Sequence, residues 1–294
     1  MNEAWYATHY KKLFIVPLVL LILSLFILGF HYITTGDIVT KDVSLKGGIS
    51  ATLLIDTPVD LILLEQTLQK QLSTSDIVVR ELSGFGGVSQ KGVIIDADLS
   101  NDVLLQQALE DFFKVTLTKD TYSSEQVGSS LGESFYREML KAILIAFILM
   151  GIVLLITYRT FIPSFAAIFA VVLNTLTTLA LLNLFQIRIS NAIIAALLLL
   201  IGYSVDTDVL MTSRVLRRKE GTVFDQLKTS FRTGITMTLT ALAAMTIGFF
   251  FSQSEVLRDM FLTIGLGLII DISSTYFMNA GILYIYTHRK EKKA

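Results

Sequence analysis

The sequence predicts an α-helical membrane protein with one folded α+β domain outside the membrane. The 294 residues are 53% hydrophobic and have a mean hydropathy of +0.64, which is too apolar for a water-soluble chain of this length. The 17% of charged residues still leave room for one aqueous domain, and polar residues return in a long stretch after the first apolar run. We therefore expect membrane-spanning helices interrupted by a single soluble insertion.

Composition also excludes several functions. The net charge of −1 argues against nucleic-acid binding, and the absence of cysteine removes disulfides, thiolate catalysis and cysteine metal sites. His9, His31 and His288 have no second metal ligand nearby in the sequence, so we expect no metal site and no cofactor. Neither a Gly-x-Ser-x-Gly nor a His-Glu-x-x-His motif occurs, and we expect a protein that is not an enzyme.

Six apolar runs predict six transmembrane helices. The first run has 21 residues, which as a helix would measure about 31 Å, one bilayer core. No convincing cleavage site follows it, so we interpret it as an uncleaved anchor. The six predicted spans are Leu13–Ile33, Ala142–Tyr158, Ile162–Phe185, Ala192–Met211, Gly234–Phe251 and Phe261–Tyr286.

The basic residues predict the orientation in the plasma membrane. With a cytoplasmic N-terminus, thirteen lysines and arginines flank the spans on the cytoplasmic side, against only Arg188 and Arg258 on the short outer loops. Both termini are therefore expected inside and residues 34–137 outside. The thirteen are Lys11, Lys12, Arg159, Arg214, Arg217, Arg218, Lys219, Lys228, Arg232, Arg289, Lys290, Lys292 and Lys293.

The soluble stretch predicts a ferredoxin-like domain with the order βαββαβ. Its predicted elements are a strand at Ile49–Ile55, a helix at Val59–Leu72, a strand at Asp76–Leu82, a turn at residues 84–87, a strand at Gly92–Leu99, a helix capped by Ser100-Asn101 and a strand at Val115–Thr121. It contains no catalytic triad, metal cluster or phosphate loop, so we interpret it as a contact platform.

This pattern predicts four regions along the chain. They are residues 1–33, the cytoplasmic N-terminus and first span; residues 34–137, the outer domain; residues 138–287, the other five spans with a basic cytoplasmic loop at 213–231; and residues 288–294, a basic tail.

Charged residues inside the spans are the candidate functional groups. A carboxylate in the middle of a span costs about 2.5–3.5 kcal/mol on insertion scales, so it is rarely accidental. Asp206 and Asp208 lie about 200° apart around one helix and cannot face the same partner. Asp208 shares a stripe with Ser204 and Thr212. Two further stripes are Asp271 with Ser274, Thr275 and Asn279, and Arg232 with Thr236 and Thr240.

These stripes are expected to face one another or the helices of a partner, because lipid would not solvate them. Two interpretations remain open. Arg232 could neutralise one aspartate in a static buried pair. Alternatively, at least one of Asp206, Asp208 and Asp271 gains and loses a proton as the protein moves, because burial favours the neutral form and a nearby arginine such as Arg232 favours the charged form.

A family resemblance rests on these same residues. The run Ile201-Gly-Tyr-Ser-Val-Asp-Thr-Asp-Val-Leu-Met211, followed by Arg214-Val-Leu-Arg-Arg218, resembles the fourth-span signature of the SecD/SecF family of the RND superfamily, in its archaeal form. Supporting motifs are Lys46-Gly-Gly48, Val127-Gly-Ser-Ser-Leu-Gly132, Ser230-Phe-Arg-Thr-Gly234, and Asp271 with Thr275-Tyr276 and Asn279. In the bacterial pattern, the second acidic residue of the signature falls at the position of Thr207.

The resemblance implies a function and a set of partners. It implies a six-helix, RND-type half unit that helps the Sec machinery to export proteins by using the proton gradient. It also implies that Asp206 or Asp208 is the acid of the fourth span and that Arg232 with Thr236 is the polar pair of the fifth, which together with Asp271 form the expected proton-coupling site. The implied partners are a SecD-like subunit, a SecYEG-type channel, the translocating polypeptide and membrane lipids. Two alternatives stay open: half of a small-molecule or lipid exporter of the same superfamily, and a scaffold that transduces no energy.

Overall fold

Helices dominate the chain, and four strands form one sheet. The computed structural model describes residues 9, 12–55, 59–74, 76–83, 90–118, 120–217, 221–252 and 254–291. Within these ranges the helices are α1 (Ile15–Thr35), α2 (Val43–Lys46), α3 (Leu61–Leu72), α4 (Asp102–Phe113), α5 (Ser129–Tyr158), α6 (Phe161–Leu184), α7 (Asn191–Leu216), α8 (Val223–Phe251), α9 (Glu255–Ser273) and α10 (Ala280–Glu291). The strands are β1 (Gly48–Leu54), β2 (Ile77–Ser83), β3 (Gln90–Ala97) and β4 (Tyr122–Val127).

Five of the helices are long and apolar enough to cross a bilayer, namely α1, α5, α6, α7 and α8. They coincide with the first five predicted spans. The region of the sixth, Phe261–Tyr286, is divided into α9, a π-helical turn at Ser274–Asn279, and α10. Helices α5 and α8 begin well before the predicted spans because hydropathy marks the apolar part of a helix and not its capped start. In α8 that start is a reciprocal cap between Thr222 and Asp225.

The long helices differ in how much of their surface the chain covers. In their most apolar stretches, α6 and α7 are 61% and 50% buried, whereas α1, α5 and α8 are only 17%, 11% and 11% buried. Helices α6 and α7 therefore form the centre of the bundle together with α9. Most of the surface of α1, α5 and α8 is left for lipid or another chain.

The domain predicted at residues 34–137, which keeps the name outer domain below, is built on a sheet with two different faces. Its strands are all antiparallel and lie in the order β2-β3-β1-β4. Because side chains alternate along a strand, the odd-numbered residues of β1, β2 and β3 form the apolar core against α3 and α4. The even-numbered residues, among them Ser50, Arg80 and Asp96, point to the opposite face.

The predicted order of strands and helices in this domain is present, but the prediction of the last strand is wrong. Within the predicted range Val115–Thr121, residues 115–118, 120 and 121 are described and are not part of a strand. The chain leaves α4 through Lys114 in the left-handed conformation and makes a turn between Thr118 and Thr121. The strand then begins at Tyr122. This strand is mostly polar and exposed along the sheet edge, so it lacks the alternating pattern on which the prediction depended.

Several contacts fasten the outer domain to the helices. The chain after α1 forms a β-bridge with the loop between α6 and α7, in which the Asp42 amide donates to the Ile189 carbonyl at 2.9 Å. Asp76 accepts a hydrogen bond from Arg188 of that loop at 3.0 Å. At Gly47, where φ is +91°, a Cβ atom would lie 2.4 Å from the Ser129 Cα, so the start of α5 requires a glycine there.

Some predicted features lie outside the described residues. They are the turn at residues 84–87 and the basic residues Lys11, Arg218, Lys219, Lys292 and Lys293.

Candidate functional site

Two of the predicted carboxylates face each other in the middle of the helix bundle. Asp208 lies on α7 and Asp271 on α9, and the side chains of both are fully buried. The stripes that the sequence predicts on these helices, Ser204–Asp208–Thr212 and Asp271–Ser274–Thr275–Asn279, are fully buried as well. Of the two expected contacts, with one another or with the helices of a partner, these two stripes make the first, because Ser204 and Thr207 of α7 donate to Asp271 and Asn279 donates to Asp208.

Asp271 accepts hydrogen bonds from three helices. Its Oδ1 atom accepts from the Asn174 amide of α6 at 3.2 Å and from the Ser204 hydroxyl of α7. Thr275 also donates to Oδ1, at 3.4 Å, and Thr207 donates to Oδ2 at 3.1 Å. Both oxygens of this carboxylate are therefore held by uncharged donors.

Asp208 is less completely bonded. Its Oδ1 atom accepts from the Asn279 amide at 2.7 Å, whereas its buried Oδ2 atom has no hydrogen-bond partner among the described residues. Asn279 ends the π-helical turn that separates α9 from α10. Turns of this type often mark functional positions in helices. Here the turn places a donor against Asp208.

The pair of carboxylates has no counter-charge in the described part of the chain. Its hydrogen-bond donors are asparagine, serine and threonine, and no lysine or arginine nitrogen lies within ion-pair distance of either group. Two negative charges in one buried pocket are unfavourable unless a proton or a cation is added. One proton added to either carboxylate would remove this repulsion.

The other three predicted site residues lie elsewhere. Asp206 is exposed and lines an open cavity of about 490 Å³ between α5 and α7. Arg232 and Thr236 lie on the exposed face of α8, where Thr236 donates to the Arg232 carbonyl at 2.8 Å. Among the described residues, Arg232 forms no ion pair with either Asp206 or Asp208, so the static pair is not formed within this chain. The stripe on α8 faces away from the bundle, which leaves a partner's helices as its expected contact.

Sequence reasoning missed one residue of the pocket. Asn174 donates to Asp271, but it comes from the centre of α6, a helix to which no functional residue had been assigned. An amide in the middle of a run of apolar residues was the available signal, because a polar side chain facing lipid would be costly. Thr207, at the position of the bacterial acidic residue, contacts the carboxylate of Asp271 directly.

The pattern that matches known proteins extends through this site. Residues 107–289 match the family model described as protein export membrane protein SecD/SecF, C-terminal. The chain is 35% identical to the protein-export membrane protein SecF of Pyrococcus furiosus, over 96% of this chain and 93% of that protein. It is 33% identical to SecF of Methanocaldococcus jannaschii, over 97% of this chain and 98% of that protein.

A solved structure has the same fold. The crystal structure of SecDF from Thermus thermophilus, described as a translocon-associated membrane protein, superposes with a TM-score of 0.77 at 21% identity. The match covers 97% of this chain but only 38% of that longer one. A SecDF structure in a super-membrane-facing form matches with a TM-score of 0.61.

Proposed function

Because this chain belongs to the SecD/SecF family of protein-export membrane proteins, we propose that it is an auxiliary subunit of the Sec export machinery, acting with a SecD-like subunit. The relatives named SecF match it over nearly their whole length, which supports the same role here. The chain corresponds to 38% of the length of the single-chain SecDF. In the proposed assembly a separate SecD-like chain supplies the remainder.

The proposed architecture is an RND-type half unit. In it, α9, the π-helical turn and α10 together make the sixth span, after the five long apolar helices. The outer domain is assigned a ferredoxin-like fold, which its element order and its antiparallel strand order support. Both termini are placed on the cytoplasmic side, as the basic residues predict.

In this proposal, the energy for export comes from proton movement through the pocket of Asp208 and Asp271. The observation that carries this proposal is a pair of fully buried carboxylates on facing helices, bonded only to uncharged groups. Adding or removing one proton changes the charge of the pocket by a full unit, and α7 and α9 pack differently around a neutral pair than around a charged one. No covalent chemistry is assigned to the protein.

The outward stripe on α8 supports contact with a partner inside the membrane. Arg232, Thr236 and Thr240 follow one another at four-residue spacing on an exposed helix face. Arg232 lies at the boundary of the predicted span and Thr236 and Thr240 lie within it, so an acidic or polar helix of a partner would complement all three side chains better than lipid does. We assign this face to the SecD-like subunit. A SecYEG-type channel, the translocating polypeptide and membrane lipids complete the proposed set of partners.

The test is export of a secreted reporter into membrane vesicles that contain this chain, its partner and the channel. D208N and D271N are expected to lower proton-dependent export to the level seen without this subunit, because an amide of the same shape cannot carry the proton. Both variants should still co-purify with the partner. T246V, at an exposed threonine of α8 outside the pocket, is the matched control and should export normally.

Four outcomes would contradict the proposal. Normal export by the D208N/D271N double variant would remove the assigned role of the pocket. Loss of export in D206N alone would move the coupling site to the exposed face of α7. Export that is unaffected when the proton gradient is collapsed would favour a scaffold, and transport of a small molecule without a partner would favour an exporter.

A further inference from the structure

A cavity lined by both charged and apolar side chains separates the outer domain from the ends of the two helices that carry Asp208 and Asp271. It has a volume of about 430 Å³ and lies under the even-numbered face of the sheet. Its floor includes Ser190 and Asn191 at the outer end of α7, and Ser254 and Asp259 at the outer end of α9. The helices that carry Asp208 and Asp271 therefore both end at this cavity.

Arg80 crosses the cavity from the sheet. It lies on β2, and its guanidinium contacts Asp96 on the neighbouring strand β3. The same group lies 3.9 Å from the Asp259 carboxylate of α9 and 4.0 Å from the Asp42 carboxylate at the start of α2. One side chain thus joins the sheet, the base of the outer domain and a membrane helix.

The two principal contacts of Arg80 differ in strength. Asp96 is 1% exposed and is fixed by a second hydrogen bond from Ser50 at 2.7 Å, so this pair stays within the outer domain. Asp259 is 25% exposed and its contact is longer, as expected for an ion pair of small and adjustable energy. Arg80 can release Asp259 and still keep a buried partner, so this contact can open and close.

Helix α9 links this contact to the proton-binding pocket. Asp259 and Asp271 are twelve residues apart on one continuous helix, a separation of about 18 Å. A helix packed on both sides moves as a rigid rod, so a shift at Asp271 also moves Asp259. No other charged residue lies between them on α9.

We propose that Arg80 is a coupling residue that fastens the outer domain to α9, so that a displacement of this helix at Asp271 is passed to the domain. This inference rests on the proposed function, in which proton binding at Asp271 moves α9. It assigns a role to a residue far from the pocket and outside the membrane.

The charges around Arg80 favour a contact that changes state. Asp42, Asp96 and Asp259 surround one guanidinium, and Glu125 and Arg188 also line the cavity. Burial raises the pKa of Asp42, and the charge of Asp96 raises it further. Because three carboxylates share one guanidinium, Arg80 keeps carboxylate partners at Asp96 and Asp42 when its contact with Asp259 opens.

The test measures the distance between the outer domain and α9. The chain has no cysteine, so spin labels can be placed specifically at Q66C on α3 and L257C on α9, both exposed positions. In lipid nanodiscs, the labelled parent protein is expected to give one narrow distance distribution. R80Q and D259N should each add a second, longer distance. R80K keeps the positive charge and should give the same distribution as the parent protein.

A matched control and a second variant separate coupling from simple loosening. R137Q removes an arginine–carboxylate ion pair that lies entirely within α5, between Arg137 and Glu133 at 2.8 Å, and should leave the distribution unchanged. D271N should leave the distance unchanged in the parent protein, because the domain then follows α9, and should shift it in R80Q, because α9 then moves without the domain.

The coupling role would be overturned by unchanged distances in R80Q and D259N, or by a D271N shift of equal size with and without Arg80. These distances are measured without export. If D271N exports normally while Arg80 still controls the distance, the proposed function fails and the link remains. If D271N blocks export while R80Q changes no distance, the link alone fails.

Discussion

At the scale of single residues, the buried acids depend on neutral donors for their stability. Asp208 has one strong hydrogen bond, from Asn279, and one buried oxygen without a partner in the described part of the chain. A buried polar atom that loses its only partner bears the full cost of desolvation. The stability of the bundle should therefore be more sensitive to Asn279 than to the charge of Asp208 itself.

We expect N279A to lower the free energy of unfolding by about 1–3 kcal/mol, because it leaves the Asp208 carboxylate without a donor. D208N keeps the shape of the side chain and an acceptor for Asn279, so its change should be smaller even though export is lost. Unfolding of the purified chain in nanodiscs, followed by circular dichroism, measures both. Equal stability of N279A and the parent protein would refute this prediction.

The sequence predicts these residues only partly. The four-residue spacing correctly predicts that Asp208 and Asp271 belong to buried stripes, since lipid leaves such stripes nowhere else to go. It does not reveal Asn174, because a single amide has no periodicity. The same spacing occurs in the stripe of Arg232, which is exposed, so spacing alone does not tell which stripe is buried. The direction in which α8 turns its polar face depends on packing between side chains that are distant in the sequence.

At the scale of elements, the π-helical turn and α8 fit together through a glycine. A Cβ atom added at Gly234 would lie 1.8 Å from the Tyr276 hydroxyl oxygen, and the Tyr276 ring packs edge-on against Phe231 with centroids 4.9 Å apart. The motif Ser230-Phe-Arg-Thr-Gly234 thus contributes to packing as well as to the family signature. The close approach fixes α8 against the turn that holds Asn279.

We expect G234A to destabilise the protein by about 1–3 kcal/mol, because the Tyr276 ring must move out of a well-packed site. Y276F removes the oxygen atom that the new methyl group would meet. The double variant G234A/Y276F should therefore recover most of the loss, which a thermal unfolding series of the three variants would measure. Additive losses in the double variant would show that the clash does not cause the effect.

The same comparison of sequence and structure holds for elements. Hydropathy correctly predicts five long apolar helices because their apolar runs are continuous. It gives no sign of the π-helical turn, because that turn depends on how polar residues near Asn279 bond to another helix. The last strand of the outer domain was missed because an exposed edge strand needs no alternating apolar residues.

At the scale of the whole molecule, the helix bundle is asymmetric. The centre, formed by α6, α7 and α9, is packed, whereas α1, α5 and α8 expose most of their surface. The polar stripe of Arg232, Thr236 and Thr240 lies on the exposed surface of α8. This asymmetry is expected of one half of a larger assembly.

We expect R232L with T236V and T240V to leave the stability of the isolated chain within about 0.5 kcal/mol of the parent, because exposed substitutions away from special features have small effects. Association with the SecD-like subunit should be lost, because the polar face no longer has its complement. Co-purification from membranes, with T246V as the control on the same helix, measures this. A triple variant that still binds its partner normally would contradict the assigned interface.

The short β-bridge between the chain after α1 and the loop before α7 limits how the outer domain can travel. Its backbone hydrogen bonds at Asp42 and Ile189 anchor the base of the domain to the bundle. A body tied down at one corner cannot rise from the membrane as a whole; it can only tilt about that corner. The far edge of the sheet would then sweep the widest arc, and a secreted chain lying against that edge would be displaced the most.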